Sequence, residues 1–452
     1  LSQAGCQWDD GYMSNAPSLS GPSMNNVDPD PRTLLTELFY VAVETAQPAR
    51  VLADFLPENK ARCALVIGAG KAACSMASCL EQHWSGPLHG LVVTAYGHSQ
   101  PLQRIEVIEA SHPVPDTMSE QAAKRILALV GSLDADDLVI CLISGGGSSL
   151  LALPAPGISL ANKQDINRAL LKCGATIDEI NCVRKHLSAI KGGRLALACT
   201  PARLLTLAIS DVPGDNPTTI ASGPTAADPS TSSEALSILH KYRIPIPETI
   251  AAWLKNPDSE TPKPGDSRLC NHDYRVIASA RQSLEAAARQ AQQAGFNTLL
   301  LGDDITGESR DVAREHGALA LSIARGGGPV SPPCVILSGG ETTVTVRGDG
   351  TGGRNGEYLL ALATELEGAP GIYALAADTD GIDGAGDNAG AVLSPETWQR
   401  ARERGWDISK ELENNNCYPL FRDLEDLLIT GPTRTNVNDF RAILIIPTET
   451  IL

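Results

Sequence analysis

The sequence has little positive charge for its length. Its 452 residues include 36 Lys and Arg against 53 Asp and Glu, which gives a formal net charge of −17 at pH 7. This balance argues against nucleic acid and acidic membranes as general partners, because both repel an acidic protein. An anionic small molecule can therefore bind only where the chain gathers its cations locally.

Paired cysteines, long apolar runs and a basic N-terminal segment are also missing. The eleven cysteines have no paired spacing, so we predict free thiols in a reducing, cytoplasmic compartment, with no disulfide framework or zinc site. No apolar run reaches the length of a membrane span. The first 30 residues contain no Lys or Arg and fit neither a secretory nor a mitochondrial signal. We interpret residues 1–30 as a disordered or artificial tail.

Short apolar strands alternate with helical stretches in both halves of the remaining chain. This alternation predicts two Rossmann-like α/β domains, each with a helix-flanked sheet. A stretch rich in Pro and Ser at 236–270 predicts the crossing between them, which assigns 31–235 to the first domain and 271–452 to the second. Strand signals at 342–346 and 442–446 predict a mixed second sheet.

A glycine triplet follows one of these strands, in the stretch CLISGGGSSLL at 141–151. Three consecutive glycines lose much conformational entropy on folding, which a fold tolerates when an anion must approach the backbone N–H groups. A plain tight turn is the alternative. The candidate ligand-binding residues of this loop are Ser144, Gly145, Gly146, Gly147, Ser148 and Ser149. A shorter echo after a strand of the second half adds Ser338, Gly339, Gly340 and Glu341.

The stretch GAGKAA at 68–73 fits the glycine fingerprint of dinucleotide-binding folds, with Gly68 and Gly70 in the turn. That fingerprint also requires an acidic residue about twenty positions on, to bind the ribose. The end of the next strand, VVTAY at 92–96, has no Asp or Glu. Lys71 instead brings a positive charge to a helix N-terminus, which suits a carboxylate or a phosphate. The P-loop pattern is absent.

Two further sites gather positive charge. Arg184 and Lys191 belong to the basic segment RKHLSAIKGGR, where a helix would bring them and Ser188 to one face. Arg354 and Asn355 directly follow two glycines, an arrangement suited to clamping a phosphate. A solvated helix face is the alternative for the first of these segments.

Acidic residues follow strands at two positions. Asp211 comes just after a predicted strand, and ligands of open α/β sheets bind outside the carboxyl ends of strands. Asp378 and Asp380 lie in the stretch ADTDGIDG. Their carboxylates could hold Mg²⁺ near a nucleotide or could shape turns.

Taken together, these segments resemble the class II glycerate kinases, the family with a MOFRL domain at its C-terminal end. The resemblance runs from about residue 31 to the end, with the MOFRL-like region at 334–446. The matching stretches are 68–73, 111–116, 142–151, 184–194, 209–225, 337–341, 350–357, 376–387 and 430–439.

The resemblance implies ATP-dependent phosphorylation of D-glycerate to 2-phosphoglycerate, on two domains around a deep cleft. It implies ATP as co-substrate, Mg²⁺, and catalytic roles for Lys71, Asp211 and Arg354, and it adds Thr433 to the binding residues. An NAD(P)H-dependent hydroxypyruvate reductase and a non-catalytic binder of sugar acids or nucleotides remain the alternatives, and a homodimer is one assembly compatible with the sequence. The chain departs from the family pattern at Gly356, usually Gln, and at Arg434, usually Gly.

Overall fold

The structure is a computed structural model that describes residues 30–58 and 63–448. The predicted tail at 1–30 lies outside these residues except for Asp30. The helices are α1 Pro31–Thr45, α2 Pro48–Val51, α3 Ala73–His83, α4 Thr117–Val130, α5 Gly147–Leu150, α6 Leu160–Lys172, α7 Ile177–His186, α8 Arg194–Ala198, α9 Ser232–Lys241, α10 Glu248–Leu254, α11 Ala280–Gln293, α12 Ser309–Ala324, α13 Arg354–Leu366, α14 Thr397–Glu403, α15 Ile408–Glu413 and α16 Cys417–Asp423. Short 3₁₀ turns span Leu52–Phe55, Pro213–Asp215, Ile220–Ser222, Pro257–Ser259 and Ser267–Leu269.

The first sheet has six strands, all parallel, in the order β3-β2-β1-β4-β5-β6. Its strands are β1 Ala64–Ala69, β2 Leu88–Ala95, β3 Ile105–Ala110, β4 Leu138–Ile143, β5 Arg203–Ser210 and β6 His272–Ser279. The central strands β1 and β4 are buried along their whole length, which is why they read as continuous apolar runs.

The second sheet is mixed, in the order β13-β12-β11-β14-β9-β7, and only the β7–β9 pair is parallel. The strands of the second half are β7 Asn297–Gly302, β8 Gly307–Glu308, β9 Cys334–Gly340, β10 Thr342–Thr343, β11 Ile372–Asp378, β12 Gly390–Leu393, β13 Leu427–Leu428 and β14 Asp439–Ile445. The predicted α/β architecture with a mixed second sheet is confirmed. The strand signal at 342–346 was misread, because β10 pairs in parallel with β8 outside this sheet.

The domain boundaries predicted from the sequence differ from the observed strand pairing in one place and from the observed core packing in another. Strand β6 pairs with β5, so the first sheet extends past the boundary predicted at 270. The predicted crossing contributes Ile250 and Leu254 to a core cluster with Leu170 and Val183, because its helix α10 has an apolar face. This part of the proline-rich stretch is therefore packed structure of the first half.

Helix α1 packs on the second sheet, although it precedes the whole first sheet in sequence. Its apolar residues recur at helical spacing, and Leu38 and Phe39 are fully buried in one cluster with Leu284 of α11. The rings of Phe39 and Phe440 meet edge to face at 6.0 Å. The second half of the molecule is thus built from two separate stretches of the chain, a division that composition alone did not reveal.

The ten cysteines within the described residues are all free thiols, as predicted. In the same residues, no helix is both long enough and apolar enough to cross a membrane.

Candidate active site

The strand order of the first sheet reverses between its two central strands. Strands β2 and β3 lie on one side of β1, and β5 and β6 lie beyond β4. In open parallel sheets, a crevice forms outside the carboxyl ends of the strands at such a reversal. Strand β1 ends at Ala69, before Gly70 and Lys71, and β4 ends at Ile143, before Ser144. The topology therefore brings the loop at Gly70 and the glycine triplet at 145–147 to the same crevice.

The two loops are hydrogen-bonded to each other. The N–H of Lys71 donates to the carbonyl of Gly145 at 2.9 Å, and the hydroxyl of Ser144 accepts the N–H of Ala72 at 3.0 Å. Gly70 has a φ of +145°, and a Cβ there would overlap Ser144. Glycine is required at this position because the loops approach so closely.

The glycine triplet lies against a carboxylate of the protein itself. A Cβ on Gly145 would overlap the carboxylate of Asp211 and the amide of Asn436. The backbone of Gly146 hydrogen-bonds to the same Asp211 carboxylate. The close approach inferred from the glycines is therefore made by Asp211. Binding of a ligand anion at this loop stays a prediction.

Lys71 connects the two halves of the molecule. Its ammonium forms an ion pair with Asp380, in the loop after β11, and its side chain is 19% exposed. Burial lowers the pKa of Lys71, but the charges of Asp380 and Asp378 outweigh burial and raise it above its ordinary value. Lys71 is therefore an ammonium ion at neutral pH.

Arg354 is the first residue of α13 and is surrounded by carboxylates. Its Nε donates to Asp439 at 2.9 Å, its Nη2 to Asp378 at 2.7 Å, and its Nη1 lies 3.1 Å from an oxygen of Glu341. Asp439 and Asp378 are almost fully buried, whereas the side chain of Glu341 is 57% exposed. The guanidinium is thus fixed from the protein side and remains approachable from the side of Glu341.

The acids predicted as Mg²⁺ ligands are already engaged. The two oxygens of Asp378 accept the N–H of Asp380 and Nη2 of Arg354. The two oxygens of Asp380 accept the N–H of Ile382 and the ammonium of Lys71. No group of three or more His, Cys, Asp or Glu within the described residues is arranged to hold a metal ion. As arranged here, this pair does not fit a resident metal site.

Burial and the charges of Glu341 and Lys71 change the pKa of Asp211, which lies where the two halves meet. Burial, followed by the charge of Glu341, raises the pKa of Asp211 to about 6, although the charge of Lys71 acts in the opposite direction. The side-chain amide of Asn438, from the second half, donates to the backbone carbonyl of Asp211. The structure thus brings Asp211 into the same electrostatic environment as Lys71, Glu341 and, through Glu341, Arg354.

The basic segment does not form the single helix face that was predicted. Helix α7 ends at His186, so Ser188 and Lys191 lie beyond it. The Nε of Arg184 donates to Asn167 at 2.6 Å, and Nζ of Lys191 donates to the carbonyl of Ala221 at 3.0 Å. Burial, then the charges of Lys163 and Arg184, lower the pKa of Lys191, so the side chains of Arg184 and Lys191 still interact electrostatically.

The serines of the first glycine loop are held by nearby groups. The hydroxyls of Ser148 and Ser222 are hydrogen-bonded at 2.8 Å. The hydroxyl of Ser149 donates to the carbonyl of Gly146 at 3.1 Å. Both contacts shape the loop and helix α5.

The other predicted binding residues have structural contacts. The glycine loop that was predicted at 338–341 is mostly strand. Its residues Ser338, Gly339 and Gly340 are the last three of β9 and pair with β14. The amide of Asn355 donates to Asp439 at 2.8 Å, and the N–H of Thr433 donates to the carbonyl of Asp380 at 2.9 Å. The last two contacts hold the groups that position Arg354 and Lys71.

Four residues of the site were missed in the sequence. Asn436, Asn438 and Asp439 belong to the stretch 430–439, which carries part of the family resemblance. Asp383 accepts the N–H groups of Asn355 and Gly356 at 3.0 and 2.9 Å, and so caps the N-terminus of α13. An acid in a glycine-rich turn is a weak signal, because such residues usually only shape the turn.

Comparison with known families and proteins shows the family of the chain. Residues 34–255 match a domain family of unknown function (DUF4147), and residues 334–439 match the MOFRL family. A D-glycerate 2-kinase of Thermotoga maritima is 39% identical over 90% of this chain and 97% of its own length. The chain belongs to the MOFRL-containing class II glycerate kinase family. It is an enzyme of that family.

Other relatives agree on the family and differ in their names. A glycerate 2-kinase of Pyrococcus horikoshii is 43% identical over 82% of this chain and 85% of its own length. A protein of Agrobacterium vitis with the provisional name hydroxypyruvate reductase is 50% identical over 92% of the chain and 95% of its own length. The crystal structure of a Thermotoga maritima glycerate kinase superposes with a TM-score of 0.83, covering 92% of this chain and 99% of that one.

Local contacts and backbone conformation distinguish both residues, Gly356 and Arg434, that depart from the glycerate kinase pattern. A Cβ on Gly356 would lie 2.6 Å from the sulfur of Cys417, so glycine makes room for this thiol. Arg434 has a φ of +66°, the conformation that glycine adopts most readily. Its guanidinium donates to Gln100 at 3.0 Å and so adds a contact between the two halves.

Proposed function

We propose that this chain transfers the γ-phosphoryl group of ATP to D-glycerate and releases ADP and 2-phosphoglycerate. The observation that carries the proposal is that Lys71 interacts electrostatically with both Asp211 and Arg354, where the carboxyl ends of β1 and β5 meet the second half. Lys71 and Asp211 come from the first half and Arg354 from the second. Phosphoryl transfer depends on positioning and charge neutralisation, which is what two cations and one acid can supply.

Asp211 suits the role of the group that orients and deprotonates the attacking hydroxyl. A normal carboxylate is a weak base, and a base works best when its pKa lies nearer the working pH. Its raised pKa, about 6, moves Asp211 in that direction. In the proposed step, the 2-hydroxyl oxygen attacks the γ-phosphorus, its proton passes to Asp211, and the bond to the leaving ADP oxygen breaks.

Arg354 and Lys71 suit the neutralisation of the acid carboxylate and the migrating phosphoryl group. Arg354 is fixed by Asp378 and Asp439, so its direction is set before substrate binds. Its Nη1 faces the more exposed Glu341, whose place an anionic substrate can take. The nucleotide enters as its Mg²⁺ complex, so the metal is part of the substrate.

The reductase name of the Agrobacterium relative raises a second candidate, with a nicotinamide as hydride donor. Strand β2 ends at Ala95 without the acid that would bind a ribose hydroxyl. Thr94, at the same strand end, donates instead to the carbonyl of Lys71 at 3.4 Å. These observations favour the kinase over the reductase.

The deciding experiment uses the purified chain with D-glycerate, ATP and Mg²⁺. We expect release of ADP that depends on D-glycerate, and a phosphorus NMR signal of 2-phosphoglycerate as the product. The near-isosteric variant Asp211→Asn serves as the inactive control. The proposal fails if ADP release does not depend on D-glycerate, or if the chain steadily oxidises NADH or NADPH with hydroxypyruvate.

A further inference from the structure

Three cationic side chains gather beside the candidate active site without an acid among them. Lys163 of α6 is 8% exposed, Lys191 is 1% exposed, and Arg184 of α7 is partly exposed. Burial and then the charge of Arg184 lower the pKa of Lys163 to about 7. Burial and then the charges of Lys163 and Arg184 lower the pKa of Lys191. Within the described part of the chain, no carboxylate contributes to the pKa of any of the three.

Lys163 is the member of this cationic cluster whose charge is least satisfied. Its Nζ is buried and has no hydrogen-bond partner among the described residues. Lys191 donates to the carbonyl of Ala221, and Arg184 donates to Asn167. A buried ammonium without a partner is costly, because it has lost its water and gained nothing in exchange. On a chain with a net charge of −17, three neighbouring basic side chains without an acid among the described residues indicate that the anion that would keep them protonated comes from outside.

The cationic cluster adjoins the first glycine loop. The methyl group of Ala221, whose carbonyl accepts Lys191, would lie 2.8 Å from a Cβ on Gly147. The hydroxyl of Ser222 is bonded to Ser148 of the same loop and donates to Asn181 at 3.0 Å. Ala221 and Ser222 have φ angles of +52° and +60°, a costly conformation for residues other than glycine. This strained turn, held by Lys191, joins the cluster to the glycine loop that contacts Asp211.

We propose that Lys163, Arg184 and Lys191 form the pocket for the polyphosphate of the nucleotide. The proposal rests on the phosphotransferase function proposed above. A glycerate carboxylate carries one negative charge and would neutralise one of three cations, whereas a nucleotide polyphosphate carries enough charge for all of them. Arg184 is the most exposed of the three side chains, so we expect the ligand to enter from its side.

The test replaces Lys163 with methionine, which keeps the length of the side chain and removes its charge. A lost hydrogen bond to a charged group predicts a KM for ATP and a Kd for ADP raised about 10-fold or more. The KM for D-glycerate should change less than about twofold, a difference too small to reflect a lost charged contact. The control is Lys172→Met, an exposed lysine of the same helix, which should leave all three constants unchanged.

A stability measurement separates ligand binding from a structural role. Replacing an unneutralised buried cation with an apolar side chain should not lower the Tm of the ligand-free protein. The rise in Tm caused by ADP or by inorganic pyrophosphate should become smaller, while adenosine, which has no phosphate, should behave alike in both proteins. A lower ligand-free Tm together with an unchanged Kd for ADP would overturn the proposal. Lys163→Gln provides the same readouts if the methionine variant does not fold.

Two other results would also overturn it, namely a raised KM for D-glycerate with an unchanged KM for ATP, or no change in either. Nucleotide binding is measured without D-glycerate, so this test does not depend on the acceptor. If the wild type binds ADP through Lys163 but transfers no phosphoryl group to D-glycerate, the proposed function fails and the polyphosphate pocket stands.

Discussion

Replacing Lys71 with methionine separates the structural use of this charge from its catalytic use. The ion pair of Lys71 and Asp380 joins the loop after β1 to the loop after β11, and the Asp380 side chain is only 3% exposed. Breaking a buried pair by removing one partner typically costs about 3–5 kcal/mol. Lys71 is partly exposed, and Asp380 keeps the N–H of Ile382. We therefore expect a smaller loss of unfolding free energy, about 2 kcal/mol.

The pH dependence of this loss has a definite sign. Burial raises the pKa of Asp380, but the charge and hydrogen bond of Lys71 outweigh burial and lower it. A carboxylate with a lowered pKa contributes stability above its unfolded pKa, about 3.9, and loses that contribution as the pH falls. The difference in Tm between the wild type and Lys71→Met should thus be full at neutral pH and shrink as the pH falls below about 4.

The catalytic effect is measured by coupled detection of ADP at varied D-glycerate and ATP. Loss of one charge that acts on the transition state predicts a fall in kcat/KM of about 100- to 1,000-fold. The double variant Lys71→Met/Asp380→Asn removes both charges, so it should regain Tm without regaining kcat/KM. The exposed pair of Lys124 and Glu120 provides the control, since Lys124→Met should cost only about 0.3–0.5 kcal/mol.

Recovery of both stability and activity in the double variant would refute this reasoning, because Lys71 would then only balance Asp380. The reasoning also fails if the single variant keeps a kcat/KM close to that of the wild type. In that case the substrate carboxylate and the phosphoryl group must be neutralised by other residues.

Three further predictions concern Asp211 and the two departures from the family pattern. Since the pKa of Asp211 is raised to about 6, kcat/KM measured against pH should rise through about 6 and then level off, and Asp211→Asn should remove this inflection. Gly356→Ala should lower the free energy of unfolding in urea by about 1–3 kcal/mol through its clash with Cys417; an equal loss in a Cys417→Ala background would contradict this cause. Arg434→Gly removes the strain of a positive φ and also the hydrogen bond to Gln100. We expect no loss of Tm, because that exposed bond contributes about 1 kcal/mol or less, a contribution that Gln100→Ala measures separately.

Local signals in the sequence predicted the parts of the site that depend on local structure. An apolar strand followed by glycines identified the loops at Gly70 and Gly145, because backbone close approach leaves no room for a side chain. Lys71 and Arg354 were predicted because they lie beside glycines, and Asp211 because it follows a strand. Their partners were harder to predict, because an ion pair such as that of Lys71 with Asp380 joins residues that are distant in the chain.

Properties that depend on chain topology were not predictable in the same way. The reversal of strand order between β1 and β4, which brings the loops together, leaves no mark in periodicity or composition. The end of α7 at His186 was missed, because Arg184, Ser188 and Lys191 keep a helical spacing while the backbone leaves the helix. The echo at Ser338 resembled a loop, yet it is strand backbone, because glycine also occurs where two elements pack closely.

The position of α1 has a consequence for how the molecule is synthesised. Helix α1 ends at Thr45 and packs on a sheet whose central strands begin at Cys334, Ile372 and Asp439. At about 5–20 residues per second, the ribosome needs tens of seconds to make the chain between them. During that time the apolar face of α1 has no sheet to cover it, while the first sheet, made from one continuous stretch, can already assemble. The helix translated before either sheet is thus among the last elements to dock, and its exposed leucines are a natural contact for chaperones on the nascent chain.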